Sequence, residues 1–205
     1  MLAANGQSEP AWLAIKSICE RQKCAFLLEW LPNLEKNGVR GDYVLEILEL
    51  AEQKAAAENA TDKLIIAQEK TIRWFVDKKA WDQAVAYLDK VKSSIQGNSF
   101  GEKTVADILL IYLSTGDLEK ISQLIENKLV KEDFSESSPI YATLASFFDD
   151  DAVSKDSKRS IFEKISVIAV ENRPVWQEFK GKWSGVYGTP PAPEAVPEVQ
   201  PEASA

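Results

Sequence analysis

The chain has 205 residues, 24 Lys and Arg against 32 Asp and Glu, a net charge of −8 and no histidine. That acidic balance excludes nucleic acid or an anionic membrane as the main partner, because counterion release needs clustered Lys and Arg. The missing histidine removes His-based triads, imidazole bases at neutral pH and nearly every zinc or iron site that mixes His with carboxylate.

An apolar content of 45% suits a globular chain with a sizeable core. No apolar run approaches the ~18 residues that a bilayer span requires, so no membrane insertion is expected. Residues 1–8 read as a flexible N-terminus, and Met1–Gly6 has neither the basic region nor the apolar core of a signal peptide. A cytoplasmic location is therefore expected. If Leu2-Ala3-Ala4 is the remnant of a trimmed signal, the location is instead periplasmic or secreted.

A helical domain is expected over 9–187. In its first pair, about 9–57, Glu9-Pro10 opens a helix with Trp12, Ile15, Ile18 and Cys19 on one stripe. After the polar Glu20–Lys23 come Ala25, Phe26, Leu27, Trp30 and Leu31, and Pro32 is expected to end the helix. Gly38 and Gly41 frame a loop, and Asp42 caps a helix from Tyr43 to Ala57 with Val44, Leu45, Leu48 and Ala51 inward. The second pair spans about 62–95. Leu64–Lys79 carries Leu64, Ile65, Ala67, Ile72, Phe75 and Val76 at helical spacing, with Asp62 as its cap. Ala80–Val91 then places Trp81, Ala84, Val85, Leu88 and Val91 on one stripe.

In the third pair, about 103–130, Thr104–Leu113 is stopped by Ser114-Thr115-Gly116, a glycine able to take a positive φ. Asp117 caps the next helix, whose stripe is Leu118, Ile121, Leu124, Ile125 and Leu129. The fourth, about 139–170, begins at Pro139, crosses an acidic linker at Asp149–Ser157, and continues with Ile161, Phe162, Ile165, Ile168 and Ala169. Pro174 marks a further break, and 174–187, with Trp176, Phe179 and Trp183, reads as a cap over the last exposed groove. Residues 188–205 alternate Pro, Ala, Glu and Val without aromatics and read as a disordered tail.

Within the centre, Trp81-Asp82-Gln83-Ala84-Val85-Ala86-Tyr87-Leu88 resembles the start of the second helix of a tetratricopeptide repeat, where an aromatic precedes a small residue by three positions. Leu118-Glu119-Lys120-Ile121 is similar but has Ile121 in the place of the alanine. Tyr112 and Gly116 match the aromatic and the turn glycine of the repeat's first helix. The pattern is degenerate: the Trp81-to-Leu118 offset exceeds the ~34-residue period, Ile72 stands where a small residue belongs, and no proline closes either unit. The resemblance implies an all-α superhelix of antiparallel helix pairs.

Four constellations bear on chemistry. Gly97–Thr104 is superficially like a phosphate loop, but Glu102 intervenes before Lys103-Thr104 and a helix precedes it, so an inter-helix loop is the reading. Cys19 and Cys24 are the only cysteines. On a continuous helix they stand too far apart for a disulfide, which would need a turn at Glu20–Lys23, and two ligands make no zinc site. Asp149-Asp150-Asp151 with Asp156 lacks calcium-loop spacing and its glycine. Trp176 and Trp183, flanked by Lys180, Gly181 and Gly185, form either a cap or a partner-facing aromatic patch.

No catalytic residue, cofactor site or metal site emerges. The expected function is a non-catalytic scaffold or adaptor that binds a protein partner on a groove, with a structural subunit or assembly factor as the alternative. First helices line the inner face of such arrays, which makes Gln68, Lys70, Arg73, Asp77, Glu102, Lys103 and Asp107 the expected exposed contacts.

Overall fold

The computed structural model describes residues 8–36, 39–97, 99–126, 137–168 and 174–187, and among them every regular element is a helix. In chain order these are α1 (Ser8–Glu20), α2 (Cys24–Lys36), α3 (Gly41–Ala57), α4 (Thr61–Lys78), α5 (Trp81–Lys90), α6 (Lys92–Gln96), α7 (Glu102–Thr115), α8 (Leu118–Leu124), α9 (Pro139–Asp149), α10 (Lys155–Ile168) and α11 (Pro174–Tyr187). The expectations for Gly38, Leu129, Ala169, the first residues and the tail lie outside the described residues.

Local chemistry sets several of the boundaries. Gly116 takes φ 70 at the C-cap of α7, where its backbone N–H closes onto Leu113 and Tyr112. Asp117 accepts the Lys120 backbone N–H at 3.1 Å and starts α8. Ser138 accepts from the Ile140 N–H ahead of Pro139, which enters α9 where its missing donor costs nothing. Lys79, not a glycine, takes the left-handed turn between α4 and α5 with φ 53.

Other boundaries depart from expectation. Pro32 does not end α2, which runs on to Lys36. The ring faces solvent while Leu31 and Leu34 on either side are buried, so one more apolar turn outweighs the lost backbone bond. Neither Asp42 nor Asp62 caps its helix. Arg40 and Ala60 hold those positions without a side-chain cap, and Asp42 pairs with Arg40 instead. Ile18 and Phe26, placed on apolar stripes, are exposed. The cysteines do stand on either side of a turn, because α1 ends at Glu20 and α2 begins at Cys24, and both thiols are free and buried.

Among the described helices α2 contacts α4, α4 contacts α7 and α7 contacts α9; α8 lies against α10, α3 packs on α4, and α5 packs on both α4 and α7. Long-range hydrogen bonds between helices span offsets from 19 to 39 residues, and several fall near 35. Arg73 to Asp107, Tyr87 to Glu52, Thr104 to Glu69 and Ser138 to Glu102 all join residues 34–36 apart. The fold is thus all-α with helices packed in succession, compatible with a helical repeat.

Two apolar clusters make up the core and α4 joins them. Ala67 faces the first, with Leu27, Ile47, Leu48 and Ala51; Ile72 and Phe75 face the second, with Leu88, Ile108, Leu109 and Ile121. Trp74 packs against both. Each such fully buried aliphatic or aromatic side chain is worth about 1.5–3 kcal/mol over its exposed form. Beside Ile72 on α4, the buried Thr71 and Tyr87 hydroxyls both reach Glu52 Oε1, at 2.9 and 2.6 Å, and so tie α3, α4 and α5 together. Ala84 is wholly buried in the second cluster, whereas Trp81 is only partly buried against it.

Helix α11 occupies the segment read as a cap, with Trp176, Phe179, Trp183 and Tyr187 on one stripe. That stripe closes over Phe148, whose ring centroid lies 5.3 Å from Phe179, 5.4 Å from Trp183 and 5.5 Å from Tyr187. Trp176 and Trp183 are 1% and 5% exposed, so the reading as a partner-facing aromatic patch is corrected to a core lid.

Candidate functional site

The inner-face residues expected to meet a partner are largely spent on holding the helices together. Arg73 Nη1 lies 2.8 Å from Asp107 Oδ1 and its Nε 3.2 Å from Asp77 Oδ1, linking α4 to α7. Asp107 is 8% exposed and Gln68 6%, which corrects their placement on an open face; they stand on α7 and α4, which pack together. Burial raises the Asp107 carboxyl above the usual carboxylate value, with the Arg73 guanidinium pulling it back. Glu102 accepts from Ser138 Oγ at the start of α9. Lys103 is exposed. Lys70, Arg73 and Asp77 share a hollow of about 140 Å³ with Leu31, Pro32 and Trp74, too small for more than a single side chain.

The segment that resembled a phosphate loop has its donors occupied. Gly101 N–H and Thr104 Oγ1 both donate to Glu69 Oε1, at 3.1 Å each. A carboxylate from α4 thus sits where a phosphate would have to be, and the segment works as an inter-helix strap.

A larger opening lies elsewhere. Between the α7–α8 turn and the α9–α10 pair is a cleft of about 840 Å³, within the size range of ligand sites. Its floor is apolar: Leu113, Phe147 and Ile161 are buried there, with Leu118 and Val153 partly buried beside them. Its rim is polar. Ser114 and Thr115 come from the end of α7, Ser146 from α9 and Ser157 from α10, and all four are exposed. The exposed carboxylates Asp150 and Asp156 stand at the ends of α9 and α10. Among the described residues that line this cleft, none is Lys or Arg.

Local turns position this rim. The Ala152 N–H donates to Asp150 Oδ1 at 2.9 Å, which shapes the bend after α9. The Ser157 N–H donates to Ser154 Oγ at 3.1 Å and starts α10. Thr115 Oγ1 donates back to the Ile111 or Tyr112 carbonyl, so this hydroxyl is already engaged at the end of α7. In the sequence these residues read as a helix stop and a solvated acidic linker. No signal marked them as one site, because four separate elements bring them together.

Among the described residues no group of three or more Cys, Asp or Glu side chains is placed to hold a metal ion, and no helix is long and apolar enough to cross a membrane. Comparison with protein-family models, with curated proteins and with solved structures finds no match to this chain.

Proposed function

We propose that the chain is a non-catalytic scaffold that binds a partner protein on a helical-repeat groove, its frame a tetratricopeptide-like superhelix of antiparallel pairs. The observation that carries this reading is the cleft between two successive pairs, with an apolar floor and a rim of hydroxyls and carboxylates. Supporting the frame is the 34–36-residue recurrence of the hydrogen bonds between units. The partner site moves from the expected inner face to this cleft, since Arg73, Asp77, Glu102 and Asp107 are engaged within the chain. Two free thiols fit a reducing, cytoplasmic setting.

The test is to fill the cleft from its rim. Ser146 is exposed on α9, so Ser146→Trp places an indole into the opening without touching the floor. Partner proteins that co-purify with the parent chain from its host should be lost from this variant while its melting transition stays within about 0.5 kcal/mol of the parent. Capture that is undiminished refutes the cleft as the partner site.

A second reading, a subunit or assembly factor of a larger complex, has its own observation. Leu13 and Ile18 on α1 and Phe26 on α2 are large apolar side chains left exposed at one end of the chain. Sedimentation of the isolated protein separates the two: a stable monomer across concentrations favours the scaffold, and progressive self-association favours the subunit.

A further inference from the structure

Resting on the reading of the cleft as a partner site, we infer that its occupant is a cationic amphipathic segment, with aliphatic or aromatic anchors on one side and Lys or Arg on the other. Three features of the cleft point to this chemistry. Leu110, Leu118 and Val153 line the cleft half-buried over the buried Leu113, Phe147 and Ile161, and this apolar surface takes hydrophobic anchors. Only negative formal charge, from Asp150 and Asp156, stands on the rim, and no Lys or Arg among the described lining residues opposes it. The carboxyl ends of α7 and α9 also open here, and their terminal carbonyls add partial negative charge.

The amino ends of α8 and α10 reach the same region and would by themselves favour an anion. They are already answered: Asp117 caps α8, Ser154 caps α10, and Asp156 lies in the first turn of α10. Arg159 stands beside one of the rim acids, with Nη1 at 4.0 Å from Asp156 Oδ1. Its side chain is 48% exposed and that of Asp156 97%, so solvent screens the pair and leaves the carboxylate available. An anionic segment would meet two carboxylates and no lining cation, and a wholly apolar one would take water from those carboxylates without answering their charge. The whole chain's charge of −8 adds a field of the same sign, which speeds encounter with a cation.

The probe is a pair of synthetic helical peptides with the same leucine face and either lysine or glutamate on the other, read by fluorescence anisotropy with the full chain. The lysine peptide should bind, and its affinity should fall as salt rises. Asp150→Asn with Asp156→Asn removes both charges but keeps the acceptor that bends the chain at Ala152; it should weaken the lysine peptide about three- to tenfold at low salt. Ser146→Trp should abolish binding of the lysine peptide, and circular dichroism should show both variants folded. No binding of the lysine peptide overturns the inference, and so does lysine-peptide binding that survives Ser146→Trp, which would be attraction to the net charge alone. Equal binding of the two peptides, lost in Ser146→Trp, overturns the charge requirement while leaving the cleft as a partner site. Host partners captured equally by the parent and Ser146→Trp overturn the cleft itself.

Discussion

Replacing Tyr87 by phenylalanine should cost about 1.5–3 kcal/mol, because it removes a hydrogen bond to a buried charged group. Glu52 is 6% exposed, and its Oε1 receives the Tyr87 hydroxyl at 2.6 Å and the Thr71 hydroxyl at 2.9 Å. The phenol is held far above the ordinary tyrosine range, first by burial and then by the Glu52 charge, so it is a proton donor throughout the accessible pH range. Thr71 is the weaker of the two donors because its single proton is shared with the Ala67 carbonyl at 3.0 Å. Removing the phenolic oxygen therefore leaves a buried carboxylate with half of one donor, at the cost of a hydrogen bond to a charged group. Thr71→Val should cost less, about 0.5–1.5 kcal/mol, because Tyr87 still serves the carboxylate. Urea unfolding followed by tryptophan fluorescence measures both, with unchanged slope required for the comparison. Equal midpoints for Tyr87→Phe and the parent would refute the reasoning, as they would mean that water already serves Glu52. A larger loss from Thr71→Val than from Tyr87→Phe would refute the ranking of the donors.

Arg73→Ala should destabilise the chain by about 1 kcal/mol at neutral pH, discounted because half of the guanidinium is exposed, by leaving the buried Asp107 carboxylate without its cation. Burial raises the Asp107 carboxyl above its usual 3.8, so just above that pH the folded chain holds a proton that the unfolded chain has released. Stability from this group grows as pH falls through that window and is lost as pH rises, and the penalty of Arg73→Ala should therefore shrink toward pH ~4 in paired denaturant titrations. Gly116→Ala should cost about 1 kcal/mol in thermal unfolding, purely from φ 70, since nothing lies within 4 Å of an added Cβ. Ala84→Leu should cost about 1–3 kcal/mol by overpacking a fully enclosed site in the second apolar cluster, and an unchanged urea midpoint would show that this contact between helices has room to spare.

Helix existence and several of the boundaries were determined by the sequence alone. Periodicity in α4, α5 and α7, the glycine stop at Gly116, the cap at Asp117 and the proline start at Pro139 are properties of a few neighbouring residues. They are set by backbone sterics and by the orphaned N–H and C=O groups at helix ends, which act over one turn. What lies on which face is a different kind of fact. Arg73, Asp107 and Gln68 have the composition of a solvated surface, yet in the packed chain the first ties α4 to α7 and the other two are buried. Trp176 and Trp183 read in the sequence as a cap with a partner-facing patch as the alternative, and the stripe of α11 closing on Phe148 makes them a lid. Asp150 and Asp156 belong to an acidic linker in the sequence and to the rim of a cleft in the fold. Only the tertiary structure decides such cases, because burial depends on which helix faces meet, and that is a sum over contacts some 34 residues away in the chain.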